Sequence, residues 1–176
     1  YAGPLKDCVS AIFGWDREML EGTTQSSREW REEVDEWWAK RLDMPQLTPR
    51  WVLQYWGTEV GRRSFHNDIW VSAVENQLRN IQDNVVITDC RFKNEVDAIK
   101  NAGGTTIRIE RGDYPKWIVD AVDYNHTRNP QALARLTDLN IHASEYSSVG
   151  LNYDHTIKND GTIDDLHKAM ESIVNS

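Results

Sequence analysis

The chain has 176 residues, 39% of them hydrophobic and 27% charged, and its 20 basic against 28 acidic side chains leave a formal net charge of −8. Those proportions fit one globular domain with a real core and exclude a disordered chain. They also remove any general electrostatic reason to coat a nucleic-acid polymer or an anionic membrane, so an anionic ligand must be held by a few local arginines or lysines. No apolar run reaches the length of a membrane span, and no charged-then-apolar leader opens the sequence. Cys8 and Cys90 make no disulfide framework and read as buried thiols of a reducing compartment, so a cytoplasmic location is expected.

Taken in chain order, residues 4–13 read as a short helix with Pro4 in its first turn and Gly14 as its stop. A longer helix is expected over 27–42, with Trp30, Val34, Trp37, Trp38 and Leu42 on one face and Glu29, Glu32, Glu33 and Glu36 forming a solvated remainder. Thr48-Pro49 is a start signal, a capping hydroxyl followed by proline at the first helical position, for a helix running through Leu53, Trp56 and Val60. Another helix is expected from 68 to 81, with Trp70, Val74, Leu78 and Ile81 facing inward. Val85-Val86-Ile87-Thr88 is a continuous β-branched run and reads as a strand buried on both faces. A helix over 92–102, Gly103-Gly104 and a strand over 105–110 complete a βαβ unit whose two strands should be parallel neighbours. Residues 111–150 look loop-rich apart from a helix near 130–138. A last strand at 153–158 leads into a helix over 163–174, capped by Thr162 and Asp165. The sum is a single α/β domain over 1–176 with a small parallel sheet flanked by helices.

Asp89 closes the expected strand at 85–88, and ligands of parallel sheets bind outside the carboxyl ends of the strands. Four apolar or β-branched residues followed by aspartate is also the Walker B pattern, whose carboxylate helps hold magnesium near a nucleotide's phosphates; the alternative role is a cap for the next helix. Arg91 stands two residues on, near a helix start, and either meets phosphate oxygens or pairs with Glu95. In a second constellation, Arg50 lies in the first turn of its helix, where a cation opposes the macrodipole and so calls for an anion, a carboxylate such as Glu59 or a ligand phosphate. Gly57, which costs about 1 kcal/mol inside a helix relative to alanine, permits close approach of a ligand or of a neighbouring tryptophan. Trp70 is either core or a base-stacking surface. The five histidines form no paired-ligand spacing, and His142 and Glu145, three apart, lack an evident third ligand, so neither a zinc hydrolase nor a cysteine enzyme is supported.

The segments PLKDCVSAIFGWDREMLEG, LTPRWVLQYWGTEVGRRSF with DIWV, VVITDCRFKNEVDAIKNAGG, IHASE and DHTIKNDGTIDDL together resemble the deoxynucleoside monophosphate kinases of tailed bacteriophages, over nearly the whole chain. The resemblance implies a P-loop nucleoside monophosphate kinase fold and transfer of the γ-phosphoryl of ATP, with magnesium, to a deoxynucleoside 5′-monophosphate (dNMP) in the cytoplasm of an infected bacterium. Small-molecule substrates are its implied partners, with no nucleic-acid polymer and no membrane. By the same resemblance Arg50, Gln54, Gly57, Thr58 and Trp70 are monophosphate-site residues, Asp89 is the carboxylate that directs magnesium, indirectly, and Arg91 binds phosphate. Arg128 and Arg135 fall in 111–150, where the lid of such a kinase is expected. His142, Ser144 and Glu145 match the family without a role. The Walker A loop, G-x-x-x-x-G-K-[ST], is absent from the 176 residues. The expected fold therefore lacks its first strand and P-loop, and the chain alone is expected to be an impaired kinase. Two other readings are a nucleotide- or protein-binding module without turnover, and an assembly component whose tryptophans serve an interface.

Overall fold

Length anticipates one domain, whereas residues Tyr1–Asp89 and those from Cys90 onward pack as two separate units in the computed structural model, which describes residues 1–175. The described residues are mainly helical with one two-stranded parallel sheet.

The first unit begins with α1 (Ala2–Phe13), which buries Leu5, Val9 and Phe13 at helical spacing, leaves Cys8, expected to be buried, exposed on its other face, and stops at Gly14 in the left-handed region. A short α2 (Arg17–Glu21), capped by the Asp16 carboxylate, follows. The helix expected over 27–42 is two helices, α3 (Gln25–Trp30) and α4 (Glu36–Leu42). Asp35 is the cause of the break: its carboxylate caps α4 by accepting from the Trp38 amide at 3.0 Å and also takes the Trp15 indole N–H at 2.7 Å. An Asp35 inside a continuous helix could not make the first of these bonds, because the Trp38 amide would be taken within the helix. As a result Val34, Trp37 and Leu42, expected on a buried face, are exposed.

Thr48 and Pro49 start α5 (Pro49–Tyr55) as expected, the Thr48 hydroxyl accepting from the Trp51 amide. The chain then widens into a π-helix, Trp56–Phe65, which buries Gly57, Thr58, Gly61 and Arg62. The wider turn rotates Val60 out to the surface, correcting its expected place inside. α6 (Ile69–Leu78) is shorter than anticipated and leaves Ile81 exposed. The core of this unit gathers Leu5, Val9, Phe13, Trp15, Leu20, Ala39, Leu47 and Val52, with Trp30, Trp38, Trp51, Trp56 and Trp70 packed against it. Six of the chain's eight tryptophans thus serve one core, and Phe13 sits among them, 4.5 Å from Trp15 and 4.9 Å from Trp38 between ring centroids.

The segment 85–88 is not a strand. It has no hydrogen-bonded neighbour in the sheet, and Val86 is 83% exposed. A β-branched run is buried on both faces only where strands flank it and helices cover it, and among the described residues none pairs with this one.

In the second unit α7 (Lys93–Asn101) ends at Gly103, whose φ of +79° only glycine adopts freely. β1 (Ile107–Glu110) then pairs in parallel with β2 (His155–Lys158), Ile109 opposite Ile157, and not with residues 85–88. The intervening chain, expected to be loop-rich apart from a helix near 130–138, carries α8 (Ile118–Thr127), the expected helix as α9 (Pro130–Asp138), and α10 (Ala143–Tyr146), the first and last of these beyond expectation. Their core is Ala121, Leu136, Tyr146 and Val149. The Asn125 amide donates to the carbonyls of Tyr146 (2.7 Å) and Val149 (2.8 Å), tying α8 to the end of α10. Asp154 fixes the register of the sheet, accepting from the Thr106 amide and hydroxyl and pairing with Lys100. Those bonds, the Thr106 hydroxyl foremost, hold its carboxyl well below the usual carboxylate range. The final helix, α11 (Ile163–Val174), has the expected bounds and the Thr162–Asp165 capping box.

Candidate functional site

The singled-out residues fall into both units. In the first, Arg50 projects from the opening turn of α5, about half exposed, and its anionic partner is Glu32, at 3.1 Å. Glu59, the carboxylate considered from the sequence, pairs instead with Arg63 at 2.7 Å. The Arg50 amide also donates to the Arg31 carbonyl at 2.9 Å, so α5 begins alongside the residues that follow α3. One turn after Arg50, Gln54 is half-buried, and its side-chain amide makes no hydrogen bond among the described residues.

Gly57 and Thr58 are buried at the start of the π-helix. A Cβ at Gly57 would lie 2.9 Å from Leu5 Cδ2, so this glycine admits a leucine of α1. Trp70 donates its indole N–H to the Gly57 carbonyl at 2.8 Å and lies so close to Gly61 that a Cβ there would meet its ring at 2.7 Å. Trp70 therefore braces the π-helix through its donor edge.

Asp89 accepts from the backbone nitrogens of Tyr1 and Ala2, both at 2.6 Å, and so sits at the N-terminal end of α1. Burial pushes its carboxyl up, but these two donors outweigh it and hold the carboxyl below its ordinary value. Through α1, whose Leu5 touches Gly57, Asp89 and the π-helix share one support.

In the second unit the side chains of Arg91, Arg128 and Arg135 have separate partners. The Arg91 guanidinium reaches Glu145 at 3.4 Å. Glu95 accepts from the backbone amides of Arg91 (2.6 Å) and Phe92 (3.0 Å), capping α7. Arg128, in the left-handed region at the end of α8, lies over the Tyr124 ring at 5.3 Å, and Arg135 pairs with Asp120 at 2.6 Å across α8 and α9. His142, without a role from sequence, is the cap of α10, its Nδ1 accepting from the Ser144 amide.

A cavity of about 250 Å³ opens at the carboxyl end of β1, lined by Arg108, Glu110, Tyr114, Trp117 and Glu145 among others. Glu110 pairs with Arg108 at 2.6 Å. Its carboxyl is held below the usual range by the Tyr114 hydroxyl first and by Arg108 as well. Sequence reasoning missed this cavity because the strand-end signal was read at Asp89. It also missed Arg31, and the signal that could have found Arg31 is Asp35, whose capping role breaks the expected helix just after it.

No protein-family profile matches the chain, and no solved structure does. Two curated proteins are similar to it. Over 125 residues, 63% of this chain and 58% of the relative, it is 32% identical to a protein of Acanthamoeba polyphaga mimivirus named "Putative deoxynucleotide monophosphate kinase". Over 55 residues, 31% of this chain and 22% of the relative, it is 40% identical to the deoxynucleoside-5′-monophosphate kinase of Escherichia phage T5. The chain thus spans less than two thirds of either relative.

Proposed function

We propose that this chain serves phosphoryl transfer from ATP to a deoxynucleoside 5′-monophosphate, within a P-loop nucleoside monophosphate kinase type of fold. The observation that carries the reading is the similarity to two proteins named as kinases of deoxynucleotide monophosphates, joined to an arginine, Arg50, that presents a half-exposed guanidinium from the first turn of α5. Phosphoryl transfer asks for positioning and charge neutralisation and needs no covalent nucleophile. Arg50 offers a planar fork matched to phosphate oxygens. Gln54, one turn along α5, supplies an uncommitted amide for the nucleotide. Gly57, Thr58 and Trp70 set the shape of the wall behind it. In the second unit, Arg91 is the proposed phosphate ligand, and residues 111–150, with Arg128 and Arg135, form the proposed lid.

Among the described residues no group of three histidine, cysteine or acidic side chains could hold a metal ion. Magnesium is accordingly proposed to enter with ATP, as part of the substrate, a mode that needs only one or two protein carboxylates. Asp89, held ionised below its ordinary pKa, is the carboxylate proposed to face it, indirectly. The 176 residues contain no G-x-x-x-x-G-K-[ST] loop, so on their own they are proposed to bind a monophosphate better than they turn ATP over.

The test is dGMP and dTMP binding by calorimetry, together with ATP-dependent transfer, in the parent and in Arg50→Gln and Asp89→Asn. Arg50→Gln is expected to weaken monophosphate binding about tenfold or more, and both variants to lower transfer. Unchanged binding in Arg50→Gln with parental transfer in both would overturn the reading.

A further inference from the structure

Arg31, between α3 and α4, carries an uncompensated charge. Its Nε is buried and has no hydrogen-bond partner among the described residues, and the guanidinium's one hydrogen bond to them, from Nη1 to the Leu20 carbonyl, is long at 3.4 Å. The guanidinium lies against Gly22, where a Cβ would come within 2.1 Å of it, and Gly22 itself has φ +68°. The positive φ disfavours any side chain at that position, which leaves the space beside Gly22 to this guanidinium. The neighbouring carboxylates are committed elsewhere: Glu32 pairs with Arg50, and Glu21 pairs with Lys6 and Arg17. The remaining close charges are like charges. Burial first, then Arg50 and Arg28, disfavour the Arg31 cation, and Glu32 and Glu21 offset this only in part.

Capping the end of α2 accounts only for Nη1, which reaches the Leu20 carbonyl; it leaves Nε unmet, and the carbonyls of Gly22 (3.1 Å) and Thr23 (3.2 Å) are already taken by Arg28. A half-buried guanidinium with an orphaned donor, beside a second arginine, is an arrangement that an anion would complete.

We propose that Arg31 is a second phosphate-binding arginine, which shares with Arg50 the phosphate monoester of the acceptor nucleotide. This rests on the reading of Arg50 given above. The Arg50 amide bonded to the Arg31 carbonyl holds the two residues side by side. Glu32 serves as the stand-in anion for Arg50, which exchanges it for the phosphate.

The test uses Arg31→Gln, Arg31→Lys, Arg50→Gln and the Arg31/Arg50 double variant, with dTMP and inorganic phosphate as ligands and thymidine as the control without phosphate. Calorimetry is expected to show dTMP binding weakened about tenfold to a hundredfold in Arg31→Gln, less in Arg31→Lys, and non-additively in the double variant. Thymidine binding should not change. Phosphate should raise the melting temperature of the parent and leave that of Arg31→Gln unmoved, a difference that a purely structural role would not produce. If Arg50→Gln weakens dTMP and Arg31→Gln stays within twofold of the parent, Arg31 is only a cap for α2 and this proposal falls while the acceptor site stands. If neither variant affects dTMP, or the parent responds to neither dTMP nor phosphate, the acceptor-site reading falls and takes this proposal with it. Should Arg31→Gln not fold, Arg31→Lys decides, since it keeps the charge but lacks the Nε donor and the planar fork.

Discussion

The unit Tyr1–Asp89 packs tryptophans around Phe13 and satisfies their indole N–H groups internally, with Trp15 on Asp35, Trp38 on the Phe13 carbonyl and Trp70 on the Gly57 carbonyl. From Cys90 onward the apolar core is smaller, built on Ala121, Leu136, Tyr146 and Val149, and polar ties such as Asn125 and Asp154 join its elements. The arginines follow the opposite pattern. Arg91, Arg128 and Arg135 of the second unit are exposed and partnered by Glu145, Tyr124 and Asp120, whereas Arg31 of the first is partly buried with a donor unmet. Large aromatic burial supplies the stability that can hold such a charge in place, and a core built with polar ties carries no comparable surplus.

Truncating the aromatic centre tests that contrast most severely. Phe13→Ala is expected to cost about 3–5 kcal/mol. It should lower the denaturation midpoint followed by tryptophan fluorescence, which reports chiefly on the first unit because Trp117 is the only tryptophan beyond Asp89. Protection of the β1 amides in hydrogen exchange should change little; an equal loss there would mean that the two units unfold as one.

Next in size is the polar tie. Asn125→Ala leaves the Tyr146 and Val149 carbonyls without their donor and is expected to cost about 1–3 kcal/mol, read as faster exchange in α8 and α10 with the fluorescence midpoint unmoved. A shift of that midpoint by the same amount would erase the distinction between the units.

Asp89→Asn is expected to cost about 1 kcal/mol at pH 7. The folded-state pKa of Asp89 is depressed, so its contribution is complete above the unfolded value near 3.9 and is lost as the pH falls through the lower folded value. The gap between parent and variant should therefore hold from pH 7 to 5 and close below about pH 4. A gap that persisted in acid would show that Asp89 acts through packing alone.

Trp37 is the smallest case. It is 64% exposed, and Trp37→Ser is expected to change stability by less than about 0.5 kcal/mol. A larger loss in denaturant titration would mean that this tryptophan is buried in solution, as the interface reading of the tryptophans supposes.

Legibility in the sequence followed the range of the interactions. α1, α9 and α11 announce themselves through proline, glycine and capping pairs within a few residues, and Thr48-Pro49 marks the start of α5 for the same reason. α8 escaped because Ile118, Val119 and Val122 are β-branched and its stability comes from packing with α9. The partner of β1 was misread because the nearest β-branched run in sequence, 85–88, is not its neighbour in space; β2 is. In the candidate site, Arg50, Asp89 and Trp70 stood out by residue type and position. Arg31 did not, since its burial against Gly22 and its distance from any spare carboxylate arise only when α2, α3 and α5 meet.

The sequence by itself determined where α1 stops and α5 starts, the bounds of α9 and α11, which residues can bond phosphate, and that an acidic chain must hold an anion with a few chosen cations. Tertiary structure alone decided which strands pair, which tryptophans are core, and which arginine is left wanting an anion. Caps and periodicity act over one or two turns of chain, while burial and charge compensation depend on groups that only folding brings together.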